Sequence, residues 1–130
     1  MNQEAMKLPG AFSWNELMTT DVTSAKAFYH ALFGWDMHDE PIPKGTYTLL
    51  IAGEHKLGGI MAIPADAAGV PPSWGAYVTV DDVDQQTTRA SSLGGRIIRP
   101  PEDIPNVGRF AVISDPQGAM LSIITYTSQG

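Results

Sequence analysis

An α+β fold made of two βαβββ modules is what this sequence predicts, and three observations predict it. The first is an internal echo: Ser13-Trp14 recurs as Ser73-Trp74 and Asp21-Val22 as Asp82-Val83, an offset of 60 to 61 residues in a chain of 130. The second is a capped helix at the same place in each half, with Gly34 and Gly95 each standing thirteen residues beyond its cap. The third is the set of short strand-like runs that follows each helix, broken by proline- and glycine-rich turns.

Taken in order, Phe12–Met18 reads as a strand. Asp21 is a good N-cap, and Val22, Ala25, Phe28, Tyr29 and Leu32 follow at helical spacing as an apolar stripe. Gly34 suits the helix end, where a left-handed residue is usually needed. Trp35–Asp39, Tyr47–Ala52 and Leu57–Ile63 are strand-like, separated by Pro41-Ile42-Pro43-Lys44-Gly45 and by Gly53-Glu54-His55-Lys56. Pro64–Pro72 is small, proline-bounded and linker-like. The second half begins with a strand over Trp74–Val80. Asp82 caps a helix through about Leu93, whose stripe of Val83, Gln86, Ala90 and Leu93 is weaker. Arg96–Arg99 is a strand, Pro100–Asn106 a stiff loop, and Arg109–Ser114 and Met120–Tyr126 a hairpin. Asp115-Pro116-Gln117-Gly118 closes that hairpin as a type I turn.

Composition excludes several functions. Apolar residues make up 43% and charged residues 17%, a globular mixture large enough for one core. With no cysteine, disulfides, thiolate metal sites and a catalytic thiol are ruled out. The net charge is -6 and the eight basic residues are scattered singly, so the reading expects no nucleic-acid partner. Met1–Lys7 lacks the apolar stretch of a signal peptide, and no run is long enough for a membrane span, so a cytoplasmic protein with no membrane contact is expected. His30, His38 and His55 have no zinc-like spacing. No nucleophile elbow, P-loop or dinucleotide fingerprint appears. Gly58-Gly59 and Gly94-Gly95 read as close backbone approach and a helix stop.

The paired modules resemble the vicinal-oxygen-chelate superfamily: glyoxalase I, extradiol dioxygenases, fosfomycin-resistance and bleomycin-resistance proteins. The resemblance rests on Asp21 through Ala27-Phe28-Tyr29 to Leu32-Phe33-Gly34-Trp35, on Val80-Asp81-Asp82-Val83, and on Asp115-Pro116-Gln117-Gly118. Trp14-Asn15-Glu16-Leu17 is similar to a glyoxalase-like branch without a known reaction. The resemblance implies one domain over 10–127, with module 1 near 10–63, a linker over 64–72 and module 2 near 73–127. It also implies two sheets curving into a cup, the glyoxalase/bleomycin-resistance fold.

Metal enzymes of that superfamily place ligands on the first and last strand of each module. Carried over, those positions fall on Trp14, Met61, Gly75 and Ser122. Indole, thioether, hydrogen and hydroxyl make no site for a hard or borderline divalent ion. The expectation is therefore no metal and no cofactor. Strand alternation sends Phe12, Trp14, Glu16 and Met18 to the cup face, joined by Met61, Tyr77, Thr79, Met120, Ser122, Ile124 and Tyr126. Trp74 and Phe110 are candidates for its rim. Trp14, Glu16, Met61, Trp74, Tyr77, Phe110, Ser122 and Tyr126 form the expected ligand-binding set, with Glu16 the candidate acid–base or cation-facing group. The alternatives are a filled core and a Glu16–Arg109 ion pair. Function is expected to be metal-independent binding of an aromatic or cationic small molecule by a homodimer. The competing reading is a glyoxalase-like enzyme using Glu16 or an unrecognised metal site.

Overall fold

A computed structural model describes residues 3–43, 45–67, 69–105 and 107–127. Sequence expectations on Met1, Asn2, Lys44, Ala68 and Asn106 fall outside that range. The chain forms two compact units: Asn15–Gly75, and Gln3–Trp14 with Ala76 onward. Each unit contains the expected β-α-β-β-β order.

In the first unit, β1 (Phe12–Thr19) leads into α2 (Val22–Phe33), then β2 (Asp36–Ile42), β3 (Gly45–Ala52) and β4 (His55–Ala62). The strand order is β2-β3-β4-β1, with β4 returning parallel to β1 and the other pairs antiparallel. Asp21 caps α2 by accepting the Ser24 N–H at 3.0 Å, and Gly34 ends it at φ 73°. Both are local chemistry that the sequence carries openly. Val22, Ala25 and Tyr29 pack onto a core of Leu17, Leu50 and Ile60. Phe28 and Leu32, expected on the same stripe, face outward instead. At 100° per residue Phe28 lies about a quarter-turn off the Val22–Ala25–Tyr29 line, and Leu32 sits in the last turn.

In the second unit, α1 (Gln3–Lys7) precedes the start of β1, then come β5 (Ser73–Thr79), α3 (Val83–Ser92), β6 (Arg96–Ile104), β7 (Gly108–Ser114) and β8 (Met120–Tyr126). The order is β5-β8-β7-β6, with β5 parallel to β8. Asp82 caps α3 through the Gln85 N–H at 3.1 Å. The helix stop is Gly94 at φ 98°. Gly95, its expected counterpart to Gly34, is required for space: a Cβ there would lie 2.5 Å from the Ser114 carbonyl. Val83, Ala111 and Ile123 form this unit's core, flanked by Val80 and Ile113. Asp115 accepts N–H bonds from Gln117 and Ala119, and Gly118 closes the turn onto the Asp115 carbonyl.

Two expected loops are strand over part of their length. β2 runs through Pro41 to Ile42, and β6 runs through Pro100 and Pro101 to Ile104. Each is the outer strand of its module's sheet, bonded on one side only, so a proline that donates nothing is tolerated. Register shifts around Arg99 absorb the rest. His55 likewise opens β4 rather than sitting in the turn.

Candidate functional site

In each unit the helix takes one face of the sheet, and the nominated residues are tested by which face they occupy. In the first unit Leu17 and Ile60 point to α2, so their neighbours Glu16, Met18, Gly59 and Met61 point away. Glu16 is opposite Gly59 and Met18 opposite Met61 in the parallel ladder. Glu16 is 8% exposed. A side chain at Gly59 would collide with the ring of Tyr47, so that ring lies across the glycine, beside Glu16. Tyr47 is the residue that sequence reasoning missed. Its signal was Gly59, read as room for backbone approach, whereas the visitor is an aromatic side chain. At Gly58 the backbone reading holds, because a Cβ there would overlap the Asn15 carbonyl oxygen.

In the second unit Ala111 and Ile123 point to α3. The alternate positions Tyr77, Phe110, Ser122, Ile124 and Tyr126 therefore share the opposite face, with Tyr77 opposite Ser122 and Phe110 opposite Ile124. The Tyr77 and Phe110 rings are 6.3 Å apart. Tyr126 exchanges a 2.8 Å hydrogen bond with the buried Ser13 hydroxyl. Burial pushes the Tyr126 phenol above its ordinary range, and the Ser13 bond offsets part of that. Thr79 donates to the Ala5 carbonyl of α1, so the N-terminal segment lies on this face.

The start of β1 departs from simple alternation. Phe12 is exposed and Ser13 buried, and Trp14 and Asn15 are both half-buried before Glu16 and Leu17 are both buried. Trp74 also departs. Its indole N–H donates to the Tyr29 hydroxyl at 3.1 Å, and its ring meets those of Tyr29 and Trp35. Because Tyr29 and Trp35 pack on the α2 side of the core, Trp74 belongs to that side and not to the face of Glu16. Arg109, offered as a partner for Glu16, binds Asp84 through two bonds of 2.8 and 3.0 Å and Asp103 at 3.1 Å.

Polar chemistry also gathers at one edge of the first unit. A cleft of about 360 Å³ is lined by Lys26, Asp39, Thr48 and Met61 among others. Lys26 grips both Asp39 oxygens at 3.0 Å, and the buried Thr48 hydroxyl donates to Asp39 at 2.7 Å. Those bonds, Thr48 first, hold the Asp39 carboxyl below its usual range. The superfamily's metal enzymes raise the question of an ion. The donor set at Trp14, Met61, Gly75 and Ser122 does not fit one. Among the described residues no three His, Cys, Asp or Glu side chains converge either. His30 bonds the Trp35 carbonyl at 2.8 Å, a structural contact. Among the described residues no helix is long and apolar enough to cross a membrane.

Comparison with known proteins gives three findings. Residues 11–123 match the Glyoxalase/Bleomycin resistance protein/Dioxygenase superfamily. CFP32 of Mycobacterium tuberculosis, named provisionally as a glyoxylase, is 45% identical over 116 residues, covering 88% of this chain and 44% of that protein. The anthracycline biosynthesis protein DnrV of Streptomyces peucetius is 34% identical over 128 residues, covering 88% of this chain and 46% of that one. The chain thus spans about half the length of these curated relatives. Among solved structures, methylmalonyl-CoA epimerase from Mycobacterium tuberculosis superposes with TM-score 0.66 at 18% identity, covering 91% of this chain and 88% of that one. A Bacillus halodurans protein of unassigned function, BH1468, gives 0.70 at 12%, covering 92% and 96%. At these identities the structural likeness shows the fold.

Proposed function

The chain belongs to the glyoxalase/bleomycin resistance protein/dioxygenase superfamily, and from that premise we propose that it is a metal-independent small-molecule-binding protein. The ligand is an aromatic or cationic compound held on the sheet faces opposite α2 and α3. The observation that carries the reading is Glu16, a carboxylate 8% exposed on the face where the Tyr47 ring crosses Gly59. A carboxylate so placed is held there by partners or serves a cation. The ring beside it offers a stacking surface. Tyr77, Phe110, Ser122 and Tyr126 offer a second aromatic and hydroxyl surface in the other unit. Trp14 lies two residues before Glu16 in the same strand and is half-buried. Trp74, packed on the α2 side, is left out. The relative named for anthracycline biosynthesis supports a fused-ring aromatic ligand.

A second reading is an enzyme with Glu16 as acid or base, supported by the glyoxylase name of CFP32. A thermal-shift screen of planar aromatic amines separates the two. A ligand at a hundred times its Kd stabilises by about 2.7 kcal/mol, and Glu16→Gln and Tyr47→Leu should each reduce that shift. Unchanged shifts in both variants would remove the site. Consumption of the bound compound, lost in Glu16→Gln, would establish the enzyme instead.

A further inference from the structure

In the second unit the face offered to a ligand is already covered. Tyr77 is 6% exposed, Thr79 5% and Ile124 3%, although all three stand on the sheet face opposite α3. Over Thr79 the cover within this unit is the N-terminal segment. The Thr79 hydroxyl donates to the Ala5 carbonyl at 3.1 Å. The same carbonyl accepts the Leu8 N–H at 3.3 Å, so one oxygen both closes the end of α1 and fastens it to the sheet. Ala5 and Met6 are half-buried while Glu4 and Lys7 are exposed, so α1 lays its apolar side inward. From Gly10 onward the chain is tied to the backbone of β5. The Gly10 N–H donates to the Thr79 carbonyl at 2.8 Å, and the Thr79 N–H donates to the Ala11 carbonyl at 2.9 Å. Gly10 has φ 89° with nothing within 4 Å of where a Cβ would stand, so glycine serves conformation there and not space. Leu8-Pro9-Gly10 is thus a bend between a fixed strand and a short helix.

We infer that α1 is an autoinhibitory plug: it occupies the ligand face of the second unit, and a ligand binds there only when α1 lifts about the bend at Gly10. The inference rests on the ligand reading above and adds a competitor for the same surface. Three features suit α1 to that role. Its 5 residues are too few to hold a helix alone, since isolated helices need about 12 or more, so it is helical because it is docked. Lifting so short a segment exposes little apolar surface, which puts it at the low end of the range of local openings. The groups that part, the Thr79 hydroxyl and the Ala5 carbonyl, can both bond to water or to a ligand once separated. Lifting α1 also returns Thr79 to the face that carries Phe110 and Ser122. The measured affinity is then the intrinsic affinity scaled by the fraction of molecules in which α1 is lifted. Any change that loosens α1 without touching the ligand therefore tightens binding.

Binding of proflavine, a planar aromatic cation, to the full chain tests this by fluorescence anisotropy, alongside backbone hydrogen exchange. Two variants loosen α1 by different routes. Thr79→Val removes the bond to Ala5, and Gly10→Ala strains the bend while leaving the sheet face unaltered. One net hydrogen bond corresponds to about fivefold in the opening equilibrium, and a left-handed alanine to about fivefold or more. Each variant should therefore lower the proflavine Kd about fivefold, through faster association. Without proflavine each should speed exchange of the Leu8 amide by about the same factor, while the Ala111 and Ile123 amides of the core stay as slow as in wild type. Saturating proflavine should speed Leu8 exchange in the wild type, because α1 is displaced. Slower Leu8 exchange in the complex would mean that α1 closes over the ligand, and it overturns the plug. A Kd that does not fall in Gly10→Ala also overturns the plug while leaving the ligand reading intact. Proflavine bound by none of the three proteins removes the ligand reading, and the plug with it.

Discussion

Gly58 and Gly59 are adjacent in β4, yet adding one methyl to each should have different consequences. At Gly58 the new Cβ would overlap the Asn15 carbonyl oxygen and lie 2.8 Å from its carbon. Both are backbone of β1, the partner strand in register with Gly58. Relief requires the strands to part. That loses about two ladder hydrogen bonds at about 1 kcal/mol each and adds an overpacking cost of about 1–3 kcal/mol. The reduced freedom of the unfolded chain returns about 0.4–1 kcal/mol, leaving a net loss of about 3 kcal/mol. At Gly59 the obstacle is the far end of the Tyr47 side chain. That ring can swing away at an off-rotamer cost of about 0.5–1.5 kcal/mol, with some lost contact, so the net loss is about 1 kcal/mol. Urea unfolding followed by tryptophan fluorescence reads both. With a slope of about 1.5 kcal/mol per molar, Gly58→Ala should lower the midpoint by about 2 M and Gly59→Ala by well under 1 M. Gly59→Ala should nonetheless weaken ligand-induced stabilisation, because it moves the ring beside Glu16. A Gly58→Ala midpoint within about 0.5 M of wild type, or a larger loss at Gly59, would refute the argument that backbone contact and side-chain contact explain the two glycines.

Two further outcomes concern pH. The folded pKa of Tyr126 lies above the ordinary phenol value of 10.0 because of burial. Its contribution to stability is therefore complete below pH 10 and is lost as pH rises through the folded value. An absorbance titration at alkaline pH should show a late-ionising phenol that is lost in Tyr126→Phe, and an unaltered titration in that variant would contradict the burial argument. Asp39 is shifted the other way, first by the Thr48 hydroxyl and then by Lys26. Its contribution is present above pH 3.8 and disappears as pH falls through the lower folded value. Thr48→Val should flatten that acid limb more than Lys26→Met, and the reverse order would show that charge dominates over the hydroxyl bond.

The candidate site was half legible. Glu16, Met61, Tyr77, Ser122 and Tyr126 follow from counting along strands, and the ladders place them on the faces opposite α2 and α3. Tyr47 was missed because β3 offered nothing locally to mark it, and only the glycine across the ladder makes room for its ring. Trp74 was misdirected because its ring is claimed by Tyr29, 45 positions away in the chain.

What the amino-acid order settled unaided is whatever is decided within four or five residues. The caps at Asp21 and Asp82, the helix end at Gly34 and the turn at Asp115-Pro116-Gln117-Gly118 each close through hydrogen bonds to near neighbours. What only the assembled chain decided is direction. Phe28 faces out while Tyr29 faces in, Ser13 turns inward to a hydroxyl 113 positions away, and prolines enter strands whose outer edge has no neighbour to bond within the module's sheet. Those outcomes depend on surfaces contributed by distant segments, and the energy that selects between faces exists only once such segments are packed together.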